Sequence, residues 1–319
     1  MLAWAGKTIG VLLWLALASA EQSSILTRAR ELVKAGRKAE AEQVLTAAIQ
    51  AGEDTAELHG ELGNLLYQSG RFGAAWTELG RAVQLEPSST LYSMRLAGAL
   101  IGDGRYPVAV EFLNAVRTRF ENLPEYQYNA GMAYFGVHAY GDAAAAFRRA
   151  IELAPGMDLA HFFLGNTYAV TDELQKATRE YREALRLNPR NAAYCFALGK
   201  VLGRMDLEPE AIRWLRKALE IKPGDVASEF ELGRICERKG DVACARPLLE
   251  DVAARYPDLL AAHYALSRIY TKLQLTEKAA RENAQVRRIL AAQPRRTATK
   301  AVPDPTEELP VPTPGPERP

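Results

Sequence analysis

The segment Asp158–Asn191 reads DLAHFFLGNTYAVTDELQKATREYREALRLNPRN. It contains two stretches in which apolar residues recur at intervals of three and four, and Thr171 and Asp172 separate them. This spacing is typical of an amphipathic helix. Pro189 follows the second stretch, where a helix has to stop. The segment therefore predicts two helices that pack against each other as a hairpin.

The same spacing recurs every 34 residues on both sides of this segment. A column of small residues predicts close helix crossings, because a larger side chain would hold two helices apart. Its members are Ala29, Gly63, Ala97, Gly131, Gly165, Gly199, Gly233 and Ser267. A second column contains only alanine: Ala41, Ala75, Ala109, Ala143, Ala177, Ala211, Ala245 and Ala279. A third is large and apolar: Leu45, Leu79, Leu113, Phe147, Tyr181, Leu215 and Leu249. Five prolines follow second helices: Pro87, Pro155, Pro189, Pro223 and Pro257.

These columns resemble the tetratricopeptide repeat family, whose units have this length and this order of large, small and proline positions. The unit that matches best carries His161, Leu164, Gly165, Tyr168, Ala177, Tyr181, Ala184 and Pro189 at the family's positions. The chain departs from the family at the position of its tryptophan. That position carries His59, Ser93, Gln127, His161, Cys195, Glu229 and His263.

The resemblance implies an all-α fold, a right-handed α-solenoid of about eight 34-residue helix-turn-helix repeats. The repeats would occupy residues 21–293. The expected units are 22–55, 56–89, 90–123, 124–157, 158–191, 192–225, 226–259 and 260–293. A single hairpin is too small to bury its own apolar face, so each unit depends on its neighbours.

The resemblance also implies that positions 2, 5, 9, 12 and 13 of each unit line a concave groove. Position 5 is aromatic in five consecutive units: Tyr128, Phe162, Phe196, Phe230 and Tyr264. Position 9 carries Asn166, Lys200, Arg234 and Arg268, and position 13 adds Arg204, Arg238 and Lys272. An aromatic row beside a basic row can hold an extended peptide that contains apolar side chains and carboxylates.

Two other interpretations of these rows stay open. The aromatic residues could instead pack between neighbouring repeats. The basic residues could instead be solvated, or could pair with acidic residues of the protein such as Glu231 and Glu237. The family's carboxylate clamp needs lysine at position 5 and asparagine at position 9. Here Asn64 follows Gly60 and Asn166 follows Phe162, so that specificity does not transfer.

Both ends of the chain differ from the repeats. Residues 1–20 combine Lys7, an apolar run and a small-residue site at Ala18-Ser19-Ala20, which predicts a cleaved signal peptide. The alternative is an uncleaved N-terminal anchor, but no second run of spanning length follows, and we expect no transmembrane span after cleavage. Residues 294–319 are rich in proline, which predicts a disordered tail of polyproline character.

Three cysteines are too few for a disulfide-built fold. If the protein is exported, Cys236 and Cys244 could form a disulfide, because they occupy the end of one helix and the start of its partner. The alternative is that both are small apolar residues at a crossing. We expect Cys195 to stay free. His59, His161 and His263 lie three repeats apart, too far for one metal site, and are expected to fill a bulky helix position.

Nothing in the sequence forms a catalytic constellation, a phosphate-binding loop or a cofactor motif. We therefore expect a non-enzymatic scaffold without cofactor, exported to the bacterial periplasm or the outside of the cell, that binds a peptide or protein segment in its groove. One alternative is a cell-envelope assembly factor or structural subunit that contacts partners by its convex face. The other is a binder of polysaccharide or nucleic acid, and the net charge of +1 makes nucleic acid unlikely. The oligomeric state is not predictable.

Overall fold

The computed structural model describes residues 24–292, which form sixteen helices and, within that range, no strand. The signal peptide predicted for residues 1–20 and the tail predicted for 294–319 lie outside the described residues. The described part of the chain forms two compact units, which are residues 24–142 and residues 143–292. The expected all-α architecture of helix-turn-helix repeats is confirmed.

The helices of the first unit are α1 (24–34), α2 (Lys38–Gln50), α3 (Ala56–Gln68), α4 (Phe72–Leu85), α5 (Thr90–Gly102), α6 (Tyr106–Phe120) and α7 (Pro124–Gly136). Helix α8 (Tyr140–Leu153) lies in the second unit except for its first three residues. The second unit continues with α9 (Asp158–Val170), α10 (Leu174–Leu187), α11 (Ala192–Arg204), α12 (Glu208–Ile221), α13 (Val226–Lys239), α14 (Val242–Arg255), α15 (Leu260–Lys272) and α16 (Thr276–Ala292).

Side chains at several helix starts satisfy backbone N–H groups that have no partner inside the helix. Thr55 Oγ1 accepts from the Leu58 N–H at the start of α3. Asn191 Oδ1 accepts from the N–H groups of Ala193 and Tyr194 at the start of α11. Such capping residues also end the preceding turn, so they fix where each helix begins.

The turn inside every hairpin contains one residue in the left-handed backbone region, and these residues recur every 34 positions. They are Gly36, Gly70, Gly104, His138, Asp172, Asp206, Gly240 and Gln274. Glycine adopts this conformation without the penalty that a Cβ brings. Only four of the eight are glycine, so this column is weak in the sequence although it is regular in the structure.

The small-residue column lies where the two helices of a hairpin approach each other most closely. A Cβ added at Gly165 would lie 2.6 Å from Cε1 of Tyr181 in the partner helix. At Gly199 it would lie 2.7 Å from Cγ of Leu215, and at Gly233 it would lie 2.9 Å from Cγ of Leu249. A side chain there would push the helices apart. The close helix crossings predicted from the small-residue column are therefore confirmed.

The alanine column and the large apolar column form the core. The alanines are fully buried, apart from Ala279 in the last repeat, which is 7% exposed. The large column from Leu45 to Leu249 is buried as well. In the last repeat this position holds Asn283, which is exposed and whose Oδ1 accepts a 2.8 Å hydrogen bond from the Ser267 hydroxyl. The final hairpin therefore has a polar outer side.

First helices of successive repeats contact each other within each unit. In the first unit α3 contacts α5 and α5 contacts α7, and in the second unit α9, α11, α13 and α15 contact in that order. Equivalent positions of the first helices consequently share one surface within a unit. This arrangement places the predicted aromatic and basic rows.

Candidate functional site

The inner face of the second unit is the surface made by positions 5, 9 and 13 of α9, α11, α13 and α15. Eleven of the twelve residues that the sequence places in the aromatic and basic rows belong to it. The twelfth, Tyr128, is a half-buried residue of α7 in the first unit. The inner face therefore contains the whole basic row and four of the five aromatic residues.

The aromatic row is not uniform in exposure. Phe162 is 3% exposed, and its ring stacks on that of Tyr194 in the next first helix with centroids 4.7 Å apart. Phe230 is 7% exposed, Phe196 is half-buried, and Tyr264 is 45% exposed. For Phe162 and Phe230 the burial supports the interpretation that they pack between repeats, which corrects the expectation of a continuous aromatic stripe. Tyr264 and Phe196 keep surface that a ligand can contact.

Asn166, at position 9 of α9, is buried and serves the hairpin itself. Its Oδ1 accepts a 2.7 Å hydrogen bond from the hydroxyl of Tyr181, and it is 3% exposed. Burial also raises the pKa of the Tyr181 hydroxyl, so that the phenol stays protonated as a donor. Asn166 thus differs from the basic residues that follow it at the same position, of which Lys200 and Arg234 are half-buried and Arg268 is exposed.

The basic side chains at position 9 make two kinds of contact, one with an aromatic ring and one with carboxylates. Lys200 Nζ lies 5.9 Å from the ring centroid of Phe196, one turn earlier in α11. Arg234 and Arg268 each hold a carboxylate of the protein through Nε and Nη2. Arg234 pairs with Glu231 at 3.1 and 2.7 Å, and Arg268 pairs with Glu237 at 3.1 and 2.7 Å. The two acids are those considered in the alternative interpretation, so pairing within the protein is real.

The hydrogen bond to Glu231 raises the pKa of Arg234, which keeps its guanidinium charged. Glu231 itself is buried, at 4% exposure, while the Arg234 side chain keeps 41% of its surface. The arginine therefore neutralises a buried carboxylate with one edge of its guanidinium group and leaves the other edge towards solvent.

Arg204 and Arg238, at position 13, form hydrogen bonds and ion pairs with the preceding repeat. Arg204 Nη1 donates to the Ala169 carbonyl and Nη2 to Asp172 Oδ1, both at 2.8 Å. Arg238 repeats this one unit later, donating to the Gly203 carbonyl at 2.8 Å and lying 3.5 Å from Asp206. These bonds satisfy carbonyls at the ends of the preceding first helices, which lack partners inside the helix. The position-13 arginines thus help to fix the spacing of neighbouring repeats.

Position 13 of the inner face also includes Val170, which the sequence analysis did not single out, and Lys272, which it placed in the basic row. Val170 occupies position 13 of α9 and is 50% exposed. Lys272 is exposed at position 13 of α15, and a Cβ added at Gly240 would lie 3.1 Å from its Nζ. Both lie in the same 34-residue column as Arg204 and Arg238, so the repeat register itself identifies them.

A disulfide joins Cys236 at the end of α13 to Cys244 at the start of α14, with Cα atoms 5.9 Å apart. Cys195 is free and buried. The bond decides between the two alternatives that the sequence left open for Cys236 and Cys244, and the free Cys195 agrees with the expectation. Asp241 lies beside the disulfide, and within residues 24–292 these three side chains form the only group spaced for a metal ion. The two sulfur atoms are bonded to each other in this state, so they do not act as metal ligands.

None of the helices in the described part of the chain has the length and apolar character needed to cross a membrane.

Sequence profiles of the tetratricopeptide repeat match residues 26–89, 61–124, 158–191 and 192–225. These ranges together cover just over half of the chain. No protein of curated function matches the sequence.

Solved structures with the same fold include the APC/C hetero-tetramer Cut9–Hcn1, with a TM-score of 0.60 and 14% identity over 83% of this chain and 52% of that one. The present chain therefore spans about half the length of that protein. Pseudomonas aeruginosa PilF aligns with a TM-score of 0.57 and 17% identity, over 69% of this chain and 97% of its own. YrrB, described as a TPR protein with an unusual peptide-binding site, aligns at 0.50 and 19% identity over 59% and 96%.

Proposed function

This chain belongs to the tetratricopeptide repeat family and is a protein–protein interaction scaffold, and we propose that its inner face in the second unit binds an acid-containing peptide segment. The ligand lies along α11, α13 and α15. The protein contributes binding and orientation and carries out no catalysis.

The observation that carries this proposal is that the paired arginines keep much of their surface. The side chains of Arg204, Arg238 and Arg268 are 38, 39 and 65% exposed. Arginine has five N–H donors, and Arg268 uses only Nε and Nη2 for Glu237. Both N–H groups of Nη1 remain for a ligand carboxylate, which can bind there without breaking the pair between Arg268 and Glu237.

Exposed aromatic and apolar surface beside these charges supports a mixed ligand. Tyr264 precedes Arg268 by four residues, so the two side chains lie on the same side of α15. Phe196 has the same relation to Lys200 in α11. A peptide with an apolar side chain next to an acidic one would meet this combination in both helices. YrrB is described as having a peptide-binding site, and this supports peptide as the ligand class proposed here.

A selection of random peptides displayed on phage against the full chain provides ligands for testing this face. Enriched peptides should combine acidic with aromatic or aliphatic residues. Arg234→Gln/Arg268→Gln should weaken their binding by about fivefold at low salt and flatten the salt dependence, since exposed charge attraction is screened within about 10 Å at 0.1 M. Tyr264→Ala should weaken binding and leave the salt dependence unchanged.

The matched control is Arg281→Gln/Arg287→Gln, which removes the same charge from exposed positions of α16. It should leave peptide binding unchanged. Peptides that bind all three variants as they bind the unmodified chain would contradict the inner face as the site. Circular dichroism should check the helix content of every variant, and Arg268→Gln alone leaves the buried Glu231 paired with Arg234, so it separates loss of the site from loss of stability.

We also propose that the protein is exported. The signal pattern of residues 1–20 supports this, and so does the disulfide between Cys236 and Cys244, because disulfides persist in oxidising compartments outside the cytoplasm. N-terminal sequencing of the protein recovered from a bacterial host should begin at Glu21. A chain that retains residues 1–20 and stays in the cytoplasmic fraction would refute export without affecting the binding proposal.

A further inference from the structure

The second helices α10 and α12 share an arginine pattern that the inner face does not explain. Arg179 and Arg182 in α10 are repeated 34 residues later as Arg213 and Arg216 in α12. The column of Arg182 and Arg216 extends back to Arg148 in α8. The outer basic patch is defined here by Arg148, Arg179, Arg182, Arg213, Arg216 and Lys217.

The position of these residues in the helices directs them away from the first helices. Ala177 in α10 and Ala211 in α12 are fully buried against their hairpin partners. Successive side chains turn by about 100°, so residues two and five positions later lie roughly opposite the buried alanine. Those positions are the four arginines of α10 and α12, and all four are exposed. The patch therefore lies on the opposite side of the second unit from the inner face.

Interactions between helices show that the patch is continuous. Arg182 Nη2 in α10 lies 3.0 Å from Glu210 Oε2 in α12. Arg148 occupies the equivalent position of α8, one repeat earlier. Since α10 and α12 occupy equivalent positions in successive repeats, Arg179 and Arg213 lie at the same level of neighbouring helices. The positive charges thus form two adjacent rows.

Most of this charge has no carboxylate partner. Within residues 24–292, no acidic side chain lies within salt-bridge distance of Arg179, Arg213, Arg216 or Lys217. Arg213 and Lys217 instead lie beside Trp214, with Cζ and Nζ 5.7 and 5.0 Å from its ring centroid. This differs from the inner face, where Arg204, Arg234 and Arg268 each hold a carboxylate of the protein.

We propose that the outer basic patch binds an acidic polypeptide segment. Five of its six residues are arginine, whose planar guanidinium group pairs with carboxylates through two parallel hydrogen bonds. The pair between Arg182 and Glu210 shows that a carboxylate can lie between the two helices at this level. An extended acidic segment would place further carboxylates along the unpaired rows.

Two other anionic partners fit the patch less well. A membrane-binding surface buries apolar side chains in the lipid headgroup region. Here the aromatic residue, Trp214, is half-buried and has cationic groups beside its ring. Single-stranded nucleic acid binds through bases stacked on exposed aromatic rings, which the patch does not offer. The balanced net charge of +1 also disfavours nucleic acid.

The test uses the full chain and a fluorescein-labelled octaglutamate peptide, with binding followed by fluorescence anisotropy at 50 mM salt. Arg213→Gln/Arg216→Gln should weaken binding by about five- to tenfold, as expected for the loss of two exposed ion pairs. Arg281→Gln/Arg287→Gln removes the same net charge elsewhere on the second unit and should leave the affinity unchanged. Arg234→Gln/Arg268→Gln should weaken binding less than the α12 variant, because octaglutamate has no apolar side chain for the inner face and each of these arginines already shares its charge with a carboxylate of the protein.

Equal weakening by the α12 and α16 variants would overturn the proposal, because net charge alone would then explain binding. Weakening only by Arg234→Gln/Arg268→Gln would place the acidic peptide on the inner face and would likewise overturn it. Tighter binding to vesicles containing phosphatidylglycerol, or to a single-stranded oligonucleotide of equal charge, would assign the patch to lipid or nucleic acid instead. The peptides selected for the inner face should bind the α12 variant normally, so the two proposals fail separately.

Discussion

Nδ1 of His161 in α9 lies 2.8 Å from Oε2 of Glu180 in α10, and this contact ties the two helices of one hairpin together. The same contact joins His59 to Glu78 at 2.7 Å and His263 to Glu282 at 2.6 Å, and the partners are always 19 positions apart in the sequence. All three histidines are buried. They therefore stabilise their own hairpins, in agreement with the structural role expected for them.

Removing the partner of a buried histidine should destabilise the protein. Glu180→Ala leaves the His161 Nδ1 atom without its hydrogen bond in a buried position, which costs about 1–3 kcal/mol. The control is Glu183→Ala, which removes only an exposed pair with Arg186 and should change the free energy of unfolding by less than about 1 kcal/mol. Urea denaturation followed by circular dichroism measures both. Equal losses would show that the His161 contact contributes nothing specific.

Two glycine substitutions should act in opposite directions. Gly165→Ala places a Cβ 2.6 Å from the Tyr181 ring and should destabilise by about 1–3 kcal/mol through overpacking. Gly80→Ala in α4 meets no atom within 4 Å and should stabilise by up to about 1 kcal/mol, because alanine favours helix. Thermal unfolding should show a lower midpoint temperature for Gly165→Ala and a higher one for Gly80→Ala. A neutral Gly165→Ala variant would mean that the crossing tolerates separation.

The disulfide should contribute measurably to stability. It closes a short segment, with a sequence separation of 8, for which chain entropy gives about 2–3 kcal/mol. Reduction should lower the unfolding temperature, and Cys236→Ser/Cys244→Ser should give the same value in both redox states. Titration of the unfolded, unreduced chain should detect one thiol, that of Cys195. Three thiols without reductant would exclude the bond.

Asp54 should remain ionised to unusually low pH. Its hydrogen bond with Arg81, helped by one with His59, lowers its pKa from 3.8 to about 2. The folded-state value lies below the unfolded one, so this stabilisation is present above about pH 4 and is lost as the pH falls towards 2. Carboxyl NMR titration should give the low value in the unmodified chain. Arg81→Gln should move the pKa back towards 3.8, and an unchanged value would remove Arg81 as the cause.

The sequence by itself determined the repeat architecture. The hairpin pattern recurs every 34 residues, so each unit has the same apolar face to bury and buries it against its neighbours in the same way. Gly165 and Ala177 are small for a reason visible in the sequence alone, since their columns contain only small residues in all eight units. The sequence also showed that Cys236 and Cys244 flank one turn and could be joined, but it left open whether they are joined. Contacts inside a hairpin follow from register.

Only the tertiary structure decided which members of a column are exposed and what they pair with. Phe162 and Tyr264 occupy the same position, but Phe162 is covered by the next first helix, and the last repeat has no such neighbour among the described residues. The pairing of Arg234 with Glu231, and of Arg204 with Asp172 in the preceding repeat, depends on side-chain reach and on distances between helices. The sequence of a repeat position gives neither the reach of its side chains nor the distances between helices. The structure is therefore needed to show which charges remain available to a partner.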